Sequence, residues 1–166
     1  MSAIDEFEAY VKRFGQAVGQ ALINDVADCV KTEMALQIEK HVYDAYDPVK
    51  YERRYEHGGL TDPANMEASL SDEFTLHVVN TTGDTGHMGH WSNGVSRTKN
   101  IYGATDGEGT VSKAVELGIG YTWERSAIFG KQPYPRPFHK PTEDAVTKTP
   151  ALAKLALLNG LKRQGY

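Results

Sequence analysis

The sequence predicts an α+β fold: a long N-terminal helix and C-terminal helices packed on a small antiparallel β-sheet, with a long glycine-rich loop inserted in the sheet. Three patterns carry this reading. Apolar residues recur every three or four positions from Ile4 to Ile38, the period of one helix face. The period drops to two at Phe74, Leu76 and Val78, as in a half-buried strand. It returns to three at Leu152, Leu155, Leu158 and Leu161.

The first helix is expected from Ser2 to about Val42. Ser2 with Asp5 three residues on forms a capping box, the hydroxyl and the carboxylate each accepting from a backbone N–H that the first turn leaves open. The stripe runs Ile4, Phe7, Val11, Phe14, Val18, Leu22, Val26, Cys29 or Val30, Met34 and Ile38. At 1.5 Å per residue such a helix is about 50 to 60 Å long, more than a small domain covers. Two outcomes are open: a break near Gly15 and Gly19, each costing about 1 kcal/mol relative to alanine, or burial of part of the stripe by a neighbouring chain. The two glycines share a face, which also admits close packing of another backbone.

Tyr43 to Met66 reads as a tyrosine-rich arm, interrupted at Pro48, Gly58-Gly59 and Asp62-Pro63, all turn signals. Tyrosines beside Arg53 and Arg54 resemble a base-stacking platform, but Asp44, Asp47, Glu52, Glu56 and Asp62 would repel phosphate. Packing of the rings on the domain or on a neighbour is the better reading. The period-two strand begins at Asp72, and a second strand is expected over Ser112 to Ile119, where Val115, Leu117 and Ile119 alternate. Between them, 80–110 hold seven glycines and almost no apolar periodicity; this is a long loop or an irregular hairpin.

Gln132 to Phe138 carries prolines at 133, 135 and 137, which enforce extended backbone and exclude a central strand. A helix follows over Pro141 to Thr149. Thr149 and Pro150 then serve as N-cap and first residue of the last helix, with Lys162 and Arg163 near its end, where cations suit the helix dipole. One domain is expected over 1–166, with the helix at 1–42, the arm at 43–70, the sheet at 71–130 and the proline-rich lead-in with the C-terminal helices at 131–166.

Composition bounds the function. The chain of 166 residues has 40% hydrophobic and 24% charged residues, ordinary for a globular domain. No apolar run is long enough for a membrane span, and MSAIDEFEAY lacks the basic start and apolar core of a secretory signal, so a start in cytoplasm is expected. Cys29 is the single cysteine, excluding an internal disulfide and leaving it as a buried small hydrophobe in the stripe. The net charge of -4 is uneven: 1–57 carry -4, 58–110 carry -5 and 111–166 carry +5. An acidic body with a basic end suits head-to-tail contact between identical subunits, though a merely solvated basic face reads equally well.

Catalytic patterns are weak. Asp84-Thr85-Gly86 matches the aspartic-protease tripeptide, but no apolar strand runs into it. His87 and His90, with His77 and Asp84 nearby, are candidate metal ligands. However, Gly83, Gly86 and Gly89 make the segment a poor helix, and no glutamate accompanies the histidines as general base. No phosphate loop, nucleophile elbow or framed carboxylate pair occurs.

Several segments together carry a resemblance. Tyr43-Asp44-x-Tyr46-x-Pro48-x-x-Tyr51-x-Arg53-Arg54, Gly58-Gly59-Leu60-x-Asp62 and Asn65-Met66 precede the strand; Ala114-Val115-Glu116-x-Gly118 and Arg136-Pro137-Phe138-x-x-Pro141-Thr142 lead to the last helices. From about Tyr43 to Leu161 the chain resembles neck or minor tail-component (tail-completion, head–tail joining) proteins of long-tailed bacteriophages. The resemblance implies a non-enzymatic structural virion protein that needs no metal or cofactor. It implies assembly in the host bacterial cytoplasm into a ring, typically sixfold, between the head connector or head-closure proteins and the tail-tube or tail-terminator proteins. DNA would pass through an acidic lumen without specific binding, and no membrane is involved. Contacts with neighbouring subunits or partners are expected at Tyr43, Tyr46, Tyr51, Arg53, Arg54, Arg136, Phe138 and Lys140. Of these, Arg136 and Lys140, with the final helix, would face acidic positions of the adjacent subunit, and the 80–110 loop would dock on a tail or connector ring. A small metal-dependent hydrolase using His87 and His90, and a host-directed binding module using the tyrosine arm, are the alternatives.

Overall fold

The computed structural model describes residues 2–45, 55–82, 89–92, 95–98, 111–118 and 134–166. It is an α+β fold, with a long N-terminal helix, C-terminal helices and small two-stranded antiparallel ladders. The chain forms two units interleaved in sequence, the first made of Met1–Glu33, Glu67–Val79 and Thr142–Tyr166, the second of Met34–Met66 and Asn80–Pro141.

The long helix is continuous. Helix α1 spans Ala3–Ala21, α2 spans Ala27–Ile38, and π-helical segments at Leu22–Val26 and Glu39–Tyr43 join and end them. The capping box is present: Ser2 Oγ accepts from Asp5 N at 3.2 Å, and Asp5 Oδ2 accepts from Ser2 N at 2.7 Å. Gly15 and Gly19 do not break the helix. They are close-approach points, since a Cβ at Gly15 would strike the Glu73 carboxylate and one at Gly19 would lie 3.1 Å from Leu70 Cδ1. Residues 70–74 are the tip of a hairpin of β1 (Met66–Asp72) and β2 (Thr75–Asn80). The strand expected from Asp72 is thus the second of a pair. Its tip is closed by Asp72 Oδ1 accepting from Phe74 N at 2.9 Å, an Asx turn, so Phe74 is an exposed turn residue, not a core position.

In the first unit the buried face of the long helix is made mostly of small residues: Gly15, Ala17, Gly19, Ala21 and Ala27, with Val26. Helix α5 (Ala151–Arg163) lies antiparallel on it. Gly160 meets the Cβ of Ala21 and the carboxylate of Asp25, Gln164 Nε2 donates to Ala17 O at 3.0 Å, and the Tyr166 ring meets Phe14 edge-on with 5.3 Å between centroids. Arg163 pairs with Asp25, which lies in the first π segment; the wider turn there displaces the backbone outward and is the part α5 covers. Helix α4 (His139–Lys148) precedes α5. Thr149 is not the cap expected for α5. Its N–H donates to Ala145 O at 3.0 Å, extending α4, and Pro150 occupies the N-cap position.

In the second unit, Met34, Ile38 and Val42 are buried at a spacing of four, continuing the stripe through the second π segment. The strand expected over Ser112 to Ile119 is a helix, α3, over Val111–Leu117. Ser112 and Val115, three apart, are buried, and Gly118 ends the helix at φ +63°, the left-handed cap that glycine adopts without penalty. Under two turns, alternation of Val115 and Leu117 does not distinguish strand from helix. Within 80–110, β3 (Gly89–Ser92) pairs antiparallel with β4 (Val95–Thr98) in unbroken register from Gly89 and Thr98 to Ser92 and Val95, a regular ladder where a long loop or an irregular hairpin was expected. The two ladders are separate, not one sheet.

Candidate functional site

The motif residues in the second unit build two hydrogen-bonded joints. In the first, the phenol of Tyr43 accepts from Leu60 N at 3.2 Å while its ring meets Tyr55 edge-on at 5.1 Å. Tyr55 has φ +45° and Gly58 φ +84°. Gly59 cannot be replaced without a shift, since a Cβ there would collide with the Tyr55 backbone. Asp62 braces the loop by accepting from Gly58 N at 2.7 Å and Ala64 N at 2.9 Å. Buried Asn80 reaches Leu60 O at 2.7 Å, and Asn65 and Thr82 both donate to Gly59 O. Almost every backbone group of 58–60 thereby has a partner, so the Gly-Gly-Leu motif is architectural.

The second joint links α3 to the lead-in of α4. Arg136 N donates to Val115 O at 3.0 Å. Glu116 Oε2 accepts from Phe138 N at 2.8 Å, from His139 N at 3.3 Å, and lies 3.1 Å from His139 Nδ1. Glu116 therefore caps α4 from a different helix, adding a negative charge where the dipole favours one. Burial pushes its carboxyl up, but the His139 and Phe138 hydrogen bonds and the His139 charge outweigh that and hold it below its ordinary value. A carboxyl depressed by folding contributes stability that is complete above its unfolded pKa and is lost as pH falls through the folded one. In thermal melts, the gap between wild type and Glu116→Gln is therefore expected to hold from neutral pH down to the ordinary carboxylate range and to close below it. A gap independent of pH would refute the charged cap.

Of the expected contact residues, Tyr43 serves the first joint and is half-buried. Tyr46, Tyr51, Arg53 and Arg54 lie outside the described residues. Arg136 is 8% exposed and Phe138 fully buried. Lys140 is exposed. Asp84, His87 and the lead-in Pro133 lie outside the described residues, and among the described residues no group of three His, Cys, Asp or Glu side chains is placed to hold a metal ion. Cys29 is a free thiol, half-buried where full burial was expected.

What the first unit leaves uncovered is the larger finding. Every residue from Ser2 to Phe14 is exposed, including the stripe: Ile4 by 69%, Phe7 by 66%, with Tyr10, Val11 and Phe14. On α5 the leucine face points outward as well, with Leu152 at 70% and Leu155 and Leu158 both more than half exposed. Gly160 faces the long helix, and Leu157 and Leu161 are half-buried. Two apolar helix faces on one unit exceed the scattered exposure normal for a monomer and have the character of contact surfaces.

A profile of the YomN family matches residues 3–163. The chain belongs to the YomN family. This family is phage-derived, and the protein is accordingly phage-related. The YomN match spans both units, from the exposed turns of α1 through both joints to the end of α5. No curated protein and no solved structure matches the chain. The described helices include none long and apolar enough to cross a membrane.

Proposed function

We propose that this protein is a structural component of a tailed-phage virion, non-enzymatic, that assembles as a ring at the head–tail junction and joins the connector to the tail. The observation that carries the proposal is membership of a phage-derived family over almost the whole chain. Two features support it. The first unit leaves large apolar side chains of α1 and α5 exposed, as expected of a subunit completed by neighbours. The motif residues form hydrogen-bonded joints that tie the subunit's own segments together. In this reading the subunit is made in the host cytoplasm and ends in the neck of the particle, against connector or head-closure proteins on one side and tail-tube or tail-terminator proteins on the other. The acidic body, -9 over 1–110, would let DNA pass, since like charge disfavours phosphate contact.

The test is removal of the coding sequence from the phage or prophage that carries it, followed by electron microscopy of the particles. The expected result is DNA-filled heads and finished tails that stay unjoined, restored when the protein is supplied in trans. Intact infectious virions would overturn the proposal, as would tight, salt-sensitive DNA binding by the purified protein for the acidic-lumen part of it.

A further inference from the structure

The two exposed faces of the first unit differ in charge. The first two turns of α1 carry Asp5, Glu6 and Glu8 and no base, beside Ile4, Phe7 and Val11. From Ala145 to the end there is no acidic residue, while Lys148, Lys154, Lys162 and Arg163 are basic. Lys162 follows Leu158 by one turn and so continues the leucine face itself. Their lengths match too: Ile4 to Phe14 and Leu152 to Lys162 are each eleven residues, about 15 Å of helix from first to last.

The geometry points to a head-to-tail junction in which the first three turns of α1 of one copy lie along the outward leucine face of α5 of the next. This inference rests on the ring reading and names the contact that would build it. Pairing α5 with itself would set Lys154 and Lys162 against their own copies with no acid to offset them, whereas along α1 one of the two meets Asp5, Glu6 and Glu8 and the other reaches the third turn, where Lys12 and Arg13 lie. Because the two faces differ and both belong to one unit, each copy can give one and receive one, the condition for a ring or filament rather than a closed dimer. The α5 side already has an order: Gly160 turns the opposite face of the helix onto Ala21, so docking a second copy leaves the fold of the first undisturbed. A helix pair of three turns is small beside a standard interface, so a dimer held by one junction dissociates sooner than a closed assembly, in which every copy is held twice.

Two variants separate the sides. Phe7→Glu disables the α1 face and Leu155→Glu the α5 face; both positions are exposed, so circular dichroism and melting temperature are expected to match wild type. By native mass spectrometry each variant alone is expected to run at the 18.3 kDa of a monomer while wild type assembles. An equimolar mixture is expected to give a 1:1 dimer and nothing larger, since only one working junction remains. In a Cys29→Ser background, Phe7→Cys and Leu155→Cys copies are expected to form a disulfide when mixed and oxidised, not when kept apart. The junction is overturned if the variants still assemble like wild type, if the mixture stays monomeric, if Phe7→Cys copies link to each other instead, or if wild type is itself a monomer. The first of these with rings still visible by electron microscopy would leave the ring reading standing and remove only the contact assigned to it; unjoined heads and tails, or intact virions, after deletion test that reading independently.

Discussion

Phe138→Ala is expected to destabilise the protein by about 3–5 kcal/mol, the range for removing a fully buried phenylalanine. Phe138 has no exposed surface. Its ring stacks on His139 with centroids 4.4 Å apart, and its backbone N–H is one of the two that Glu116 caps. Truncation leaves a void at the point where α3 holds the start of α4, and the surrounding backbone is fixed by the Arg136–Val115 hydrogen bond, so it collapses poorly into the space. In a chain of this length the loss corresponds to a fall in melting temperature of roughly 10 °C. Phe138→Leu should cost well under half as much, because most of the volume remains. Urea unfolding of the three proteins checks this, and a Phe138→Ala variant within about 1 kcal/mol of wild type would show that the ring is not a packing anchor.

Gly160→Ala sets two effects against each other. In an exposed helix interior the change would gain about 1 kcal/mol of propensity. At Gly160 the new Cβ would sit 2.8 Å from the Cβ of Ala21 and closer still to the Asp25 carboxylate. Overpacking of this kind costs about 1–3 kcal/mol or more, so the clash is expected to win. Its effect should extend to what α5 places on the long helix: the Arg163–Asp25 pair, the Gln164 bond to Ala17 O and the Tyr166 contacts with Tyr10 and Phe14. Gly160→Val should be worse still. Ala21→Gly in the same chain as Gly160→Ala should recover part of the loss, since it removes the atom struck, even though a helical glycine is itself unfavourable. Equilibrium unfolding of the single and double variants reads the coupling; a Gly160→Ala protein more stable than wild type would mean that α5 does not seat there.

The parts of the fold that depend on neighbours in sequence were legible. Ser2 and Asp5 satisfy each other's backbone three residues apart, so the start of α1 follows from four residues. The stripe from Ile4 to Ile38 has a helical period whatever surrounds it, and α4 and α5 are separated by a proline that cannot continue a helix. Where fewer than two turns were available, at 112–119, alternation misled, and the deciding feature was Gly118, whose left-handed conformation is needed only if a helix ends there. Strand β1, MEASLSD, lacks the branched and aromatic residues that mark strands; it exists because β2 pairs with it. The π segments leave no local mark.

The candidate site was legible in amount and not in place. An apolar stripe longer than a small domain covers, and a basic end on an acidic chain, were countable from the letters. Which apolar residues are inside was not, because burial is assigned by whichever surfaces meet. The sequence by itself determined the long N-terminal helix with its capping box, the two C-terminal helices, the charge asymmetry and an excess of apolar surface, all consequences of spacing along one chain. Only the tertiary structure decided that Gly160 and the small residues of the long helix take the inner face, because backbones approach closely where side chains are absent. That choice leaves Phe7 and Leu155 facing outward, with charges of opposite sign beside them.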